Sequence, residues 1–207
     1  ETLEDSSTFL KIDQAKFFNF MVDDVDRAQS IPGLMEALMK ETTRAMALER
    51  DSHVATMALN AGTTSAAVTQ VDSAEDAKTA IDAGILALRE NDVDSTMDVV
   101  IEIPWFVYNY FRDKLVDLKT NNDELLKKGV IAMYDGCYVR PTNNLYVSGT
   151  DYYAMIRTRE AIAFASGIDK VEAYRPETLF SDAIKGLNTF GAKVVRPKEL
   201  YAMRVKK

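Results

Sequence analysis

The chain has a single cysteine, Cys137, among its 207 residues. One thiol cannot form a disulfide within the chain, and it cannot supply the several ligands of a structural zinc cluster. We therefore expect a protein of a reducing compartment that folds without covalent crosslinks. The length is sufficient to bury a sizeable core, in one large domain or two small ones.

Histidine is equally scarce, because His53 is the only one. A metal site or a nucleophile–base pair needs partners, and no second His or Cys lies near it in sequence. Acidic pairs such as Glu75-Asp76 lack the ligand spacing of a calcium loop, and neither G-x-G-x-x-G nor G-K-[ST] occurs. We expect no enzyme activity, no cofactor and no metal site. A small α+β enzyme that uses His53, Cys137 or the carboxylates stays an alternative.

Positive charge and long apolar runs are also in short supply. The chain carries 25 Lys and Arg against 32 Asp and Glu, a formal net charge of −7. This balance opposes non-specific attraction to nucleic acid. Apolar runs stay below the roughly 20 residues that a membrane-spanning helix needs, and no signal-peptide pattern opens the chain. We expect a soluble, unexported protein that binds no membrane.

Alternating apolar residues predict a long strand, or two, between Ser7 and Asp24. A long helix is then predicted at about 33–60, with Ser30 as N-cap, Pro32 near the first turn and a stop at residues 60–62. Its apolar stripe is expected to comprise Leu34, Leu38, Ala45, Leu48, Ala55 and Leu59. About 28 residues at 1.5 Å each make a helix roughly 40 Å long, which suits a scaffold for other elements.

The middle block, about 73–150, mixes helix and strand signals. Ser73 with Asp76 three residues later resembles a capping box before a helix that ends near Glu90. "MDVVIEI" predicts a buried strand stopped by Pro104, and residues 105–118 have the length of a helix. "GVIAMYDGCYVRPTNNL" predicts two short strands around the turn dipeptide Asp135-Gly136. Mostly strand signals follow to the end of the chain.

Two aromatic segments invite a functional interpretation. "PWFVYNYF" could be a binding box, and "KFFNF" could stack bases beside lysine. Aromatics at strand and helix spacing are more often core or subunit contacts. We therefore take Phe17, Phe18 and Phe20 as candidate subunit contacts.

Five phrases, in order, carry a resemblance to a known family. They are "LKIDQAKFFNFMVDDVDRAQS", "DAKTAIDAGILALRENDV", "VVIEIPWFVYNYF", "GVIAMYDGCYVRPTNNL" and the C-terminal "YYAMIRTREAIAFASGIDKVEAYRPETLFSDAIKGLNTFGAKVVRPKEL". Together they resemble the major capsid proteins of tailed bacteriophages with the Hong Kong 97-type fold. The likeness covers nearly the whole chain.

The resemblance implies an α+β capsid fold with a long spine helix, a peripheral-domain sheet and a mixed axial domain. Residues 1–24 would be the returning arm of an extended loop and the strand after it. Residues 25–72 and 154–207 would form a discontinuous peripheral domain, with the spine helix at about 33–60. Residues 73–153 would form the axial domain.

The same resemblance gives roles to the glycines and prolines of the C-terminal segment. Gly186 and Gly191 would permit turns or close backbone approach, and Pro176 and Pro197 would end strands. Some members of the family crosslink their subunits through Lys and Asn, but no residue here can be matched to those positions. The chain begins at Glu1 inside strand-like sequence, so we expect a trimmed product without the outgoing half of the loop. We expect such a chain to fold but to stay monomeric or form small oligomers.

The function implied is that of a structural subunit of a bacteriophage or prophage icosahedral capsid. It would assemble with itself into pentamers and hexamers around double-stranded DNA, without reading its sequence. Scaffolding and portal proteins are expected as partners. The location would be the virion capsid, assembled in the host bacterial cytoplasm. A shell protein of an encapsulin-type compartment is the alternative within the same fold.

Overall fold

The computed structural model describes residues 8–23, 33–94, 96–117 and 132–207. Within these ranges the chain forms three α-helices and eleven β-strands, which confirms the α+β class. Two compact units emerge: residues 1–53 with 164–193, and residues 54–163 with 194–207. These boundaries differ from the expected domain limits at 72/73 and 153/154. The assignment of axial and peripheral domains stays a prediction.

The first unit contains a three-stranded sheet and most of a long helix. The strands are β1 (Gln14–Asp23), β9 (Ile162–Tyr174) and β10 (Ser181–Val194), in the order β1-β10-β9. β1 and β10 are antiparallel and pair along all of β1, from Gln14 opposite Phe190 to Asp23 opposite Ser181. The long strand predicted from alternation is therefore confirmed, and β10 is its pairing partner.

The predicted long helix is also confirmed. Helix α1 spans Leu34–Ala55 and continues as a 3₁₀ helix over Thr56–Asn60. Ser30 and Pro32, the expected start signals, lie outside the described residues.

The predicted apolar stripe of α1 is wrong in part. Leu34, Leu48 and Leu59 are 39%, 42% and 52% exposed, and Ala45 is exposed too. Leu38 is partly buried and Ala55 is buried, as predicted. The partly buried face instead comprises Met35, Leu38, Met39, Thr42, Met46, Arg50 and His53. This face follows an i, i+4 row that includes a threonine and an arginine, so a search restricted to apolar residues skips it.

The second unit is built on a larger sheet in the order β2-β11-β8-β4-β6-β5, where β3 also pairs with β11 and β7 with β8. Its strands are β2 (Thr63–Thr64), β3 (Thr69–Gln70), β4 (Val99–Ile103), β5 (Ala132–Tyr134), β6 (Cys137–Pro141), β7 (Tyr146–Ser148), β8 (Asp151–Thr158) and β11 (Leu200–Lys206). Its helices are α2 (Ala74–Glu90) and α3 (Trp105–Asp117). A second 3₁₀ helix, Pro197–Glu199, precedes β11.

Local signals placed these elements correctly. The Ser73 hydroxyl accepts a hydrogen bond from the Asp76 backbone N–H at 3.2 Å, which caps α2. β4 ends immediately before Pro104, and α3 begins immediately after it. Asp135 and Gly136 have φ of 48° and 74°, the left-handed values that a two-residue hairpin turn requires. The β5–β6 hairpin is thus confirmed.

The large sheet has a core on both faces. Along β8, Ala154 and Ile156 belong to the cluster that also contains the buried face of α2, whereas Met155 belongs to a second cluster with Ala55 and Ala58. Alternate residues of a strand point to opposite faces, so apolar layers lie above and below the sheet. The α2 residues Ala77, Ile81, Ile85 and Leu88, which recur at helical spacing, are buried in the first cluster.

Candidate subunit-contact site

The three predicted contact residues lie on β1 but not on one face. Phe17 is 81% exposed and stands opposite Leu187 of β10. Phe18 and Phe20 are half-buried, their ring centroids are 6.0 Å apart, and Phe18 lines a cavity together with Met46 of α1. Of the three, Phe17 alone lies on the face of the sheet that points away from α1, which we call the outer face.

The outer face contains a hollow of about 390 Å³. It is lined by Phe17, Asn19, Lys170, Glu172, Lys185 and Leu187, and the Phe18 ring also reaches it; we call it the outer groove. Gly186 also lines the groove and pairs with Phe18 across the two strands. A Cβ at position 186 would lie 2.3 Å from Phe18 Cε1, so glycine is required for the Phe18 ring to cover this strand. The apolar walls suit an apolar side chain of another molecule.

Charged side chains hold one another in place beside this hollow. The Lys170 ammonium contacts the Glu172 carboxylate, and Lys185 Nζ lies 3.4 Å from the same carboxylate. A hydrogen bond from Lys170 lowers the pKa of Glu172 most, and a hydrogen bond from Lys185 lowers it further. Glu172 therefore stays ionised between its two lysines, and the groove carries more positive than negative charge.

Aromatic contacts extend this network across the sheet. Lys185 Nζ lies 5.3 Å from the centroid of the Tyr174 ring, within the range of a cation–π contact. The Tyr174 hydroxyl donates a hydrogen bond to Asn19 Oδ1 at 3.2 Å. These contacts tie β9 to β1 across β10, so the wall of the outer groove is pre-ordered.

β1 also presents a free edge. It is the terminal strand in the order β1-β10-β9, so its backbone groups on the side away from β10 have no strand partner among the described residues. Such an edge favours the addition of another strand. The edge and Phe17 together make β1 the part of this unit best suited to contact another chain.

The four predicted turn residues divide into two groups. Gly186 and Gly191 lie inside β10, so of the two roles expected of them the structure gives close approach and not a turn. At Gly191 a Cβ would be 2.1 Å from the Lys11 carbonyl oxygen. Pro176 follows the end of β9 by two residues, and Pro197 opens the 3₁₀ helix after β10.

The residues named for the enzyme alternative are dispersed. His53 lies in α1, where its ring centroid is 5.5 Å from that of Phe190 in an edge contact. Cys137 is 1% exposed, and burial raises the pKa of its thiol. In the described ranges no three His, Cys, Asp or Glu side chains group closely enough to hold a metal ion. Every helix in the same ranges is too short or too polar to cross a membrane.

Sequence reasoning missed the charged network of the outer groove. The i, i+2 spacing of Lys170, Glu172 and Tyr174 does place them on one face of a strand. The pairing register that brings Asn19 and Lys185 beside them depends on tertiary structure. No local signal encodes it.

Comparison with known proteins identifies the family. A family model described as phage capsid protein matches residues 5–203. The chain belongs to the phage capsid protein family. No curated protein sequence matches this capsid protein.

Solved structures agree with the family match. A chain from Mycobacterium phage Che8 is 27% identical with a TM-score of 0.76, over 97% of this capsid protein and 76% of that chain. The capsid structure of the cyanophage P-SCSP1u has a TM-score of 0.77 at 16% identity, over 96% of this chain and 74% of that one. The holo-SrpI encapsulin complex from Synechococcus elongatus gives 0.60 at 9% identity, over 93% and 73%.

The expected fold and role are therefore confirmed. The chain has the Hong Kong 97-type fold and is a subunit of a phage capsid shell, which consists of many copies. Its location is the virion capsid. The encapsulin likeness, at 9% identity, shows the shared fold alone.

Proposed function

We propose that this capsid protein is the major structural subunit of an icosahedral shell, with no catalytic role. The match of residues 5–203 to the capsid family carries this proposal. Copies assemble as pentamers and hexamers in the host bacterial cytoplasm, with help from scaffolding and portal proteins. The shell encloses double-stranded DNA without reading its sequence.

The net charge of the chain supports passive enclosure of DNA. A net charge of −7 gives a protein that does not attract DNA strongly. Weak attraction suits a container, because a lining that bound the genome tightly would hinder packing and ejection.

The two units correspond, in this proposal, to the two lobes of the family. The unit with α1 and the three-stranded sheet acts as the peripheral lobe, and the unit with the large sheet acts as the axial lobe. Residues 54–72, 154–163 and 194–207 then belong to the axial lobe, because they group with α2 and α3. β1 provides the subunit contact, through its free edge and the exposed Phe17.

Electron microscopy of the protein expressed from its complete gene tests the main proposal. We expect closed particles that protect DNA from nuclease. Particles filled with an enzyme and free of DNA would instead favour the encapsulin-type compartment. The absence of any closed particle would contradict the shell function.

Two sets of variants test the roles of residues. Phe17→Ser should lower particle yield and leave the melting temperature of the subunit unchanged, because the side chain is 81% exposed. Met97→Ser, at a site 40% exposed in the other unit, is the matched control.

His53→Gln and Cys137→Ser should preserve assembly, apart from modest losses of stability. Loss of particles from a folded His53→Gln or Cys137→Ser subunit would revive a chemical role for those residues.

A further inference from the structure

We propose that the outer groove receives the β9–β10 turn of a second copy of this chain, with Phe180 as the inserted side chain. The inference rests on the proposed function, because it names the partner of the surface that β1 contributes to. It adds a specific pair of complementary surfaces within one capsid protein.

The turn displays an unusual apolar tip. Phe180 is 83% exposed, the largest exposure of any large apolar side chain in the described ranges, and its neighbour Leu179 is 52% exposed. An exposed aromatic side chain is a frequent anchor of protein interfaces, because it buries a large area with few rotatable bonds. Pro176 restricts the backbone of the same turn, which reduces the entropy lost on binding.

The outer groove is the matching cavity. Its volume of about 390 Å³ and its apolar walls, Phe17 and Leu187, can accommodate an aromatic ring. The charges are complementary too: Glu177 in the turn is exposed, whereas the groove holds two lysines against one glutamate. Opposite charge at an interface favours the correct partner and orientation.

The turn cannot enter the groove of its own chain. Phe180 immediately precedes β10, and Leu187 lies seven residues further along that strand. An extended strand advances about 3.3 Å per residue, so about 23 Å separates the two positions. A second copy must therefore supply the turn.

The resulting contact is head-to-tail. One surface of a copy meets a different surface of the next, which generates a closed ring whenever the rotation between copies closes. Rings of five and six copies are the units expected in an icosahedral shell. One aromatic anchor buries far less than the 1,200 Å² or more of a stable interface, so this contact supplements others.

Site-directed crosslinking between two differently tagged copies tests the pairing. The complete gene product is co-expressed as a Phe180→Cys copy and a Leu187→Cys copy, and the assembled protein is treated with a short bis-maleimide. We expect a crosslinked species that has twice the mass of the chain and carries both tags. The matched control replaces Leu187→Cys with Leu86→Cys, at a site 59% exposed on α2, and should give none.

A charge exchange provides an independent test. Glu177→Lys should raise the concentration needed for assembly about tenfold or more, as loss of an interface contact does. Adding Lys185→Glu in the same chain should restore assembly toward the original concentration. Phe180→Ser should weaken assembly at least as strongly as Glu177→Lys, and Leu86→Ser should not.

The outcomes separate the two proposals. Closed particles without the Phe180–Leu187 crosslink and without effect of Phe180→Ser would overturn the groove pairing and leave the shell function intact. A crosslink from Phe180 to a different protein would also overturn it. Absence of particles would count against the shell function, and the groove pairing would fall with it.

Discussion

Asn188 is a polar residue buried in the first unit. It lies in β10, is 2% exposed, and neither its amide nitrogen nor its amide oxygen has a hydrogen-bond partner among the described residues. A cavity of about 100 Å³ beside it is lined by Met46, Val171 and other side chains. A buried polar group without a partner costs about 1 to 3 kcal/mol of folding free energy.

Replacing Asn188 by leucine should therefore stabilise the subunit. We expect the free energy of unfolding to rise by about 1 to 2 kcal/mol, because the amide no longer loses its hydration and leucine has a similar volume. Urea denaturation of the isolated subunit measures this. Asn109→Leu, at an exposed site on α3, is the control and should change little. A destabilised Asn188→Leu variant would show that the amide has a partner.

Tyr201 makes the stability of the second unit sensitive to alkaline pH. It is 7% exposed, and burial raises the pKa of its phenol above the ordinary value of 10.0. A group whose pKa is higher in the folded state gives stability that is complete below its unfolded pKa and is lost as pH rises through the folded pKa. The melting temperature should therefore fall as pH rises above about 10.

A Tyr201→Phe variant isolates this effect. Its melting temperature should decline less steeply with pH than that of the parent, because phenylalanine has no proton to release. Thermal melts at pH 8 to 11 measure the slopes. Tyr110→Phe, at a site 37% exposed, is the control and should keep the parental slope. Identical slopes for Tyr201→Phe and the parent would contradict the assignment.

At the scale of the element, α1 shows how an exposed leucine differs from a packed methionine. Leu48 is 42% exposed, whereas Met46 is half-buried and lines the same cavity as Phe18. Helices pack through the face that meets the sheet, whatever residues occupy it. Beside that face, Lys16 Nζ of β1 lies 2.8 Å from the carboxylate of Glu49 on α1. Exposed pairs of this kind contribute little to stability.

The loss of unfolding free energy on truncation to alanine should be larger for the more buried of the two side chains. Met46→Ala should cost about 1 to 2 kcal/mol of unfolding free energy, below the full range for a buried methionine because the site is half-buried. Leu48→Ala should cost less than about 1 kcal/mol. Denaturant titration of isolated subunits measures both. A larger loss for Leu48→Ala would place the buried face of α1 on the leucine stripe after all.

At the scale of the whole molecule, net charge decides how the subunit meets DNA. Basic proteins bind DNA non-specifically by releasing counterions from its phosphates, and the chain carries seven more acidic than basic side chains. The exposed lysines of the outer groove are engaged with Glu172. They therefore attract phosphate less than free lysines would.

The isolated subunit should bind double-stranded DNA more weakly than ordinary non-specific binders. We expect dissociation constants above about 10⁻⁴ M at physiological salt, with no preference between unrelated sequences. Fluorescence anisotropy with two labelled duplexes of different sequence measures both quantities. Micromolar binding, or a clear preference for one duplex, would contradict the proposed passive enclosure.

The sequence by itself determined the elements whose signals are local. The Ser73 cap, the stop at Pro104 and the Asp135-Gly136 turn were all predicted, because each depends on residues within a few positions of one another. The family was also within reach, since five phrases in the correct order are an unusual coincidence in an unrelated chain.

Tertiary structure alone decided which surfaces those elements present. The pairing of Phe18 with Gly186 joins residues far apart in the chain, and a shift of one residue in register would turn every side chain of β1 to the opposite face. The same register sets Lys185 opposite Asn19 and leaves Phe17 exposed. The sum of packing across the sheet and α1 selects that register, because pairing between distant strands is an energy of the whole unit and not of any short segment.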